Sequence, residues 1–314
     1  MKKIAFHSEK ICLRGSCVSL YDYAYYNENI LNGKSIIITH KTGHDEVALH
    51  KFIKKFEIRY YDNEEDLEDL SKDCDIFYTI KYGKNGYLPT NIKTCVHCVF
   101  DLSEPHGDIY AAVSETLAKK YNKTVFVPHM IGLQPSKTNT NLRKTLGIPT
   151  NAIVFGRHGG PDTFDLNFVK KAIINVVNFK EDIHFIFVNT PQFYNHPRIH
   201  HIDKIVDLDE KNRFICSCDA MIHAQSLGET FGIAIGEFSV NNKPIITYNG
   251  KVWNDNYKYI LKDKAIWYEN EHDCYSIMLE FNPEKYKNKD LNCYRDYTPE
   301  KVMSKFKEVF IDMV

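Results

Sequence analysis

The sequence predicts an α/β protein made of two Rossmann-like parallel-sheet domains. Short apolar runs that suit buried strands alternate with helical patterns, and this alternation runs through the chain twice. Between the two passes lies Gln134-Pro135-Ser136-Lys137-Thr138-Asn139-Thr140, polar and rich in breakers, the clearest linker in the chain. The length, 314 residues, is long for one domain and comfortable for two of about 150.

Composition narrows the class. Hydrophobic residues make up 43% and charged residues 26%, as in ordinary soluble domains. A formal net charge of -1 gives no global reason to expect nucleic acid or an anionic membrane as partner. No apolar run reaches about 18 residues, so no transmembrane segment is expected. Met1-Lys2-Lys3 followed by a short strand lacks the apolar core of a signal peptide, and a cytoplasmic location is the expectation. Nine cysteines at irregular spacings then read as free thiols. Cys95-Val96-His97-Cys98 invites a zinc reading, but on a strand Cys98 faces away from Cys95 and His97 and cannot close one tetrahedron with them.

The first pass opens with a strand over Lys3 to His7, a turn at Gly15-Ser16 and an aromatic-rich helix over Val18 to Leu31. The glycine pattern of a dinucleotide-binding turn is absent. Ile36-Ile37-Ile38 is a continuous apolar run within a second strand, as in a parallel sheet covered on both faces. A helix over His44 to Phe56, a strand over Ile58 to Tyr61 and an acidic helix face with Leu67 and Leu70 turned inward follow. Strands are expected at Asp75 to Ile80, Thr94 to Phe100 and, last in this half, Val125 to His129. After the linker, Leu142 to Leu146 reads as a short helix. The second pass gives strands at Ala152 to Gly156, Ile183 to Val188, His201 to Val206, Ala220 to His223, Ile245 to Tyr248 and Ala265 to Tyr268. Helices fall at Phe164 to Phe179, Asp209 to Ser217 and Pro299 to Phe310.

The most informative stretch runs from Met221 to Ile246. A strand ending at His223 leads through Gln225-Ser226-Leu227-Gly228 into Glu229-Thr230-Phe231-Gly232 and a helical pattern, which Lys243-Pro244 ends. The helix N-terminus then stands at the carboxyl end of a strand, where open α/β sheets bind ligands. Free N–H groups expected at Phe231 and Gly232 would favour phosphate or sugar oxygens. Glu229 and Glu237, eight positions apart, lie about 12 Å apart along a helix axis. That is too far to act as a pair on one glycosidic bond, where retaining pairs sit about 5 Å apart. They could instead hold the hydroxyls of two sugars in one sugar nucleotide; the plain alternative is a capping Glu229 and a solvated Glu237.

Glu-Thr-Phe-Gly-(x)4-Glu followed by Lys-Pro-Ile-Ile resembles the E-x7-E signature of retaining GT-B glycosyltransferases, family 4 being nearest. The resemblance implies a GT-B architecture, two Rossmann-like domains facing a central cleft. Residues 1–134 would be the acceptor-side domain, 135–150 the linker and 151–314 the nucleotide-sugar-binding domain, with a terminal helix 299–314 that could pack back on the first. It implies that Glu229 meets the transferred sugar and Glu237 the ribose. It gives Gly156-Arg157 the family's Gly-Arg role, with Arg157 on the donor diphosphate and Gly159 and Gly160 letting backbone approach the phosphates. It points to His97 as the residue reaching the donor sugar, with His106 second, and to Gly15 and Ser16 as a loop facing the cleft. The pattern departs at Asp162, where the family has lysine.

The function implied is transfer of a sugar from a nucleotide diphosphate sugar, UDP- or GDP-linked, to an acceptor hydroxyl with retention. The acceptor would be a glycan, a lipid or a protein-linked group. No cofactor is implied, and arginine, backbone N–H groups and a helix dipole replace a metal at the diphosphate. A nucleotide-sugar epimerase of the same fold, a degenerate module that only binds a nucleotide or a partner, and a structural interaction protein are the rival readings.

Overall fold

The computed structural model describes residues 1–137 and 140–313; Thr138 and Asn139 of the predicted linker and Val314 of the predicted terminal helix lie outside the described residues. The chain divides into two compact units, Met1–Gly132 with Asp296–Val314, and Leu133–Arg295.

The first unit alternates strands and helices from the start: β1 (Lys3–Ser8), α1 (Gly15–Asn29), β2 (Lys34–His40), α2 (Glu46–Ile53), β3 (Glu57–Tyr61), α3 (Asp66–Ser71), β4 (Ile76–Lys81), β5 (Lys93–Cys98), β6 (Ile109–Ala112) and α4 (Glu115–Lys120). All six strands pair in parallel, in the order β3-β2-β1-β4-β5-β6. Successive residues of a strand face opposite sides, and here both sides are covered. Ile4, Phe6, Ile37 and Tyr78 meet the helices on one face, while Ala5, Ile36, Ile38 and Phe77 meet Leu67 on the other. That is why Ile36-Ile37-Ile38 shows no alternation. The predicted last strand near Val125 is only a single bridge from Phe126 to Ala112. Ile109–Ala112 takes the edge position instead.

The second unit comprises β7 (Ile153–Arg157), α5 (Asn167–Phe179), β8 (Ile183–Val188), β9 (Ile199–Ile202), α6 (Leu208–Ser217), β10 (Ala220–His223), α7 (Ile233–Val240), β11 (Ile245–Tyr248), α8 (Asn256–Leu261), β12 (Ile266–Tyr268) and α9 (Glu271–Leu279). Its parallel sheet runs β12-β11-β10-β7-β8-β9, the same winding as the first. Two six-stranded parallel sheets, each with helical crossovers, are the α/β fold that the alternation predicts. Leu142–Leu146 forms turns in place of the predicted short helix. This stretch is fastened down: the Leu142 N–H donates to Ser217 Oγ at 2.7 Å, and the Arg143 guanidinium reaches Asp219 at 2.8 Å and the carbonyls of Ser217 and Ala152. The last helix, α10 (Pro299–Phe306), is capped by Thr298 and buries Val302, Met303 and Phe306 in the core of the first unit.

Candidate functional site

In the second sheet the strand order reverses between β7 and β10, with Met221 in register with Gly156. Ligands of open α/β sheets sit outside the carboxyl ends of the strands at such a point. Here those ends carry Arg157 and His223. Glycine is required before Arg157, because a Cβ at Gly156 would stand 2.2 Å from Cys218 Sγ.

Arg157 is 3% exposed. Its two terminal nitrogens donate to Asn189 O, Thr190 Oγ1, Gly160 O and Thr163 Oγ1, so the fork holds together the loops after β7 and β8. Among the described residues no carboxylate lies within ion-pairing distance of the guanidinium. Burial pulls its pKa down to about 10, against the more distant fields of Glu229, Asp162 and Asp165. Gly159 takes a positive φ of +150° beside it, and a Cβ there would stand 3.0 Å from an Arg157 nitrogen. Gly160, also singled out by the sequence, contributes its carbonyl to the fork. A cavity of about 320 Å³ opens beside this loop, lined by Pro161, Asn189, Thr190, His201 and Asp203.

Glu237 lies inside α7 and is 3% exposed, so it is not a solvated face residue. Lys211 Nζ on α6 donates to its Oε1 at 2.7 Å. His158 Nε2, on the loop after β7, approaches Oε2 at 3.0 Å. Both carboxylate oxygens therefore have a nitrogen neighbour, one from α6 and one from the loop after β7. Burial would push the carboxyl up, but Lys211 and His158 outweigh it and hold its pKa down at about 2. The site therefore contains a buried, ionised carboxylate fixed between two segments.

Glu229 stands in the loop before α7, not on the helix. Its side chain is 26% exposed, and Oε1 lies 3.4 Å from His223 Nε2. His223 Nδ1 bonds Thr247 Oγ1 at 2.8 Å, so the ring links a hydroxyl on β11 to the carboxylate. The loop is held at three places. Asp165 accepts from the N–H and hydroxyl of Ser226, Asn254 N–H donates to Leu227 O, and Gly228 pairs with Asn254. The helix begins at Ile233, behind a left-handed Gly232 with φ +82°. The predicted axial spacing of the two glutamates thus does not apply, and the N-terminal turn carries the N–H groups of Ile233 onward rather than those of Phe231 and Gly232. Phe231 turns its ring into the core against Tyr294, whose hydroxyl donates to the Phe231 carbonyl at 2.7 Å.

The sequence also singled out residues of the first unit. His97 is fully buried; its Nε2–H donates to Val127 O at 2.8 Å and its Nδ1 accepts from the Tyr78 hydroxyl at 2.7 Å. Burial pulls its pKa down to about 4. With both nitrogens engaged among Tyr23, His129 and Phe310, it is a core histidine and presents nothing to a donor sugar. His106 Nδ1 binds Glu104 O and its ring lies against Tyr110. Gly15 and Ser16 form the first turn of α1.

Lys211, His158, His223 and Thr247 escaped the sequence reading. Lys211 and Glu237 are 26 positions apart on different helices, and nothing local in either segment signals the pairing. Among the described residues no group of three or more His, Cys, Asp or Glu side chains is placed to hold a metal, and no helix is long and apolar enough to cross a membrane.

No protein-family profile and no curated protein matches the chain in sequence. Solved structures match its fold over nearly its whole length. Anabaena HepE in complex with UDP-glucose is 11% identical, covering 99% of this chain and 96% of its own, with a TM-score of 0.69. A glycosyltransferase from Rickettsia africae is 13% identical, covering 99% and 98%, with a TM-score of 0.71. A Listeria monocytogenes protein assigned provisionally as a UDP-N-acetylglucosamine 2-epimerase is 12% identical, covering 99% and 97%, with a TM-score of 0.62. Its two six-stranded parallel sheets give this chain the α/β fold of the GT-B glycosyltransferases.

Proposed function

We propose that the protein is a glycosyltransferase that binds a nucleotide diphosphate sugar at the β7–β10 switch point and transfers the sugar, with retention and without a metal ion, to an acceptor hydroxyl. The observation that carries this reading is Glu237, a buried carboxylate kept ionised by Lys211 and His158. A fixed, desolvated acceptor of this kind suits the vicinal hydroxyls of a ribose. Arg157 supplies a buried positive charge and holds the Gly159–Gly160 loop in the shape that would meet the diphosphate. Because its fork is already spent on the loops, its role there is field and scaffold more than direct grip. Glu229, backed by His223, meets the transferred sugar. The UDP-glucose complex of HepE supports a donor of the UDP-sugar class.

Epimerisation of a nucleotide sugar is the second reading, favoured by the likeness to the Listeria protein. One experiment separates the two. The protein is incubated with UDP- and GDP-sugars, each with and without a panel of glycan and lipid-linked acceptors, and products are analysed by mass and proton NMR. Transfer predicts a glycosylated acceptor with the donor's anomeric configuration and release of nucleoside diphosphate, unchanged by EDTA. A new epimer formed without acceptor identifies the epimerase, and loss of turnover on chelation, restored by Mg²⁺ or Mn²⁺, contradicts the metal-free donor site.

A further inference from the structure

Two thiols meet where the chain enters α1, Cys12 on the loop after β1 and Cys17 in the first turn of the helix. Cys12 Sγ and Cys17 Sγ stand 3.4 Å apart, Cys12 partly exposed and Cys17 buried. Their contact is built by the backbone on both sides. Ile11 is fixed by its N–H to His44 Nδ1 at 3.0 Å and by its carbonyl, which accepts from Asp45 N–H at 2.9 Å. Cys17 is fixed by the opening turn of α1, where its N–H donates to Arg14 O at 3.0 Å. The Cys12 N–H points at Cys17 Sγ at 3.4 Å, and Cys17 Sγ donates to Lys10 O at 3.2 Å. A disulfide needs the sulfurs at about 2.05 Å, so each must move well under 1 Å along a line they already share.

We propose that Cys12 and Cys17 form a redox-modification site, a dithiol that low-molecular-weight disulfides convert reversibly into an intramolecular disulfide. The chemistry assigns the two sulfurs different parts. The close contact with Cys17 draws the Cys12 thiol down to about 6, while the same contact and burial push Cys17 far up. Cys12 is therefore the attacking thiolate. It adds to one sulfur of the small disulfide, the old S–S bond breaks, and one small thiolate leaves. Cys17 then gives its proton to the medium, attacks Cys12 Sγ and expels the second small thiolate. The balance is one small disulfide reduced to two thiols and one protein dithiol oxidised to a disulfide. The bond closes a ring around Leu13, Arg14, Gly15 and Ser16, so oxidation stiffens the entry to α1.

The test uses the full chain at pH 7 in glutathione buffers of graded oxidation. Samples are quenched with acid, alkylated and mapped by tryptic peptides, with cleavage after Arg14 separating the two cysteines. Cys12 and Cys17 should lose alkylation together, appear as one linked pair of peptides, and recover with dithiothreitol. In the reduced protein Cys12 should react with iodoacetamide roughly tenfold faster than Cys74 or Cys293, which burial pushes up. Cys17→Ser should accumulate one glutathione on Cys12. The proposal is overturned if Cys12 and Cys17 both stay alkylatable where dithiothreitol itself is oxidised, if another pair links first, or if Cys12 reacts no faster than the other partly exposed cysteines.

Discussion

A carboxylate taken out of water is tolerated only when opposite charge and hydrogen bonds replace its hydration, and Glu237 shows how this chain does so. Its partners come from α6 and from the loop after β7, so the pair joins two segments around the proposed nucleotide site. Lys211→Met should destabilise the protein by about 3–5 kcal/mol at neutral pH, because the charge left behind is buried and half-compensated. The pH dependence follows from the direction of the shift. A carboxyl held at about 2, against its ordinary 4.5, adds stability above pH 4.5 and loses it as pH falls towards 2. Urea unfolding at pH 7 and pH 3 should therefore show the gap between wild type and Lys211→Met narrowing in acid; a constant gap contradicts the pairing. At this scale the sequence was uneven. Glu237 and Arg157 could be singled out as candidates because each falls at a strand end or in a helix that follows one. Lys211 and Thr247 were not, since they reach the site by tertiary contact alone. His97 misled because a strand-end position does not reveal whether a ring points out of the sheet or, as here, back under Val127.

The element that shapes the site is the loop between β10 and α7. Its form depends on Gly228, which has φ +70° and whose Cβ, if present, would lie 1.9 Å from the Asn254 carbonyl oxygen. Neither the dihedral nor the space admits a side chain. Gly228→Ala should cost about 2 kcal/mol or more and free Glu229 from its place beside His223. The expected result is a lower melting temperature together with a fall in kcat; a change in stability with kcat intact would separate Glu229 from the chemistry. The helix start was misplaced in the sequence for a related reason. Glu229-Thr230-Phe231-Gly232 suits a first turn by composition, but Gly232 enters the left-handed region and the helix waits until Ile233. Strand identities were easier to read, because buried parallel strands are short apolar runs bounded by turn residues.

For the whole chain, the two-fold winding could be read from the alternation alone, whereas the C-terminal return was left open. Helical periodicity over Pro299–Phe310 shows an apolar face but does not name its partner. Phe306 stacks on Tyr23 at 5.1 Å and edges Phe310 at 5.2 Å, and Val302, Met303 and Val309 are buried in the same cluster. Five large apolar side chains at about 1.5–3 kcal/mol each amount to roughly the entire stability of a domain. A chain ending at Arg295 should therefore lose cooperative folding of its first unit while residues 133–295 hold. Limited proteolysis of that truncation should leave the second unit as the resistant fragment; protection of residues 1–132 contradicts this account.

The central claim, a nucleotide diphosphate sugar held by Glu237 at the β7–β10 switch point, meets its most direct test in calorimetric titration of UDP, GDP and their sugars into the wild type and Glu237→Gln. The account predicts saturable one-to-one binding by at least one nucleotide, weakened roughly ten- to hundredfold in Glu237→Gln, as the loss of a charge-assisted bond requires. Equal affinity of the two proteins, or no saturable binding of any nucleotide to the wild type at millimolar concentration, would contradict it.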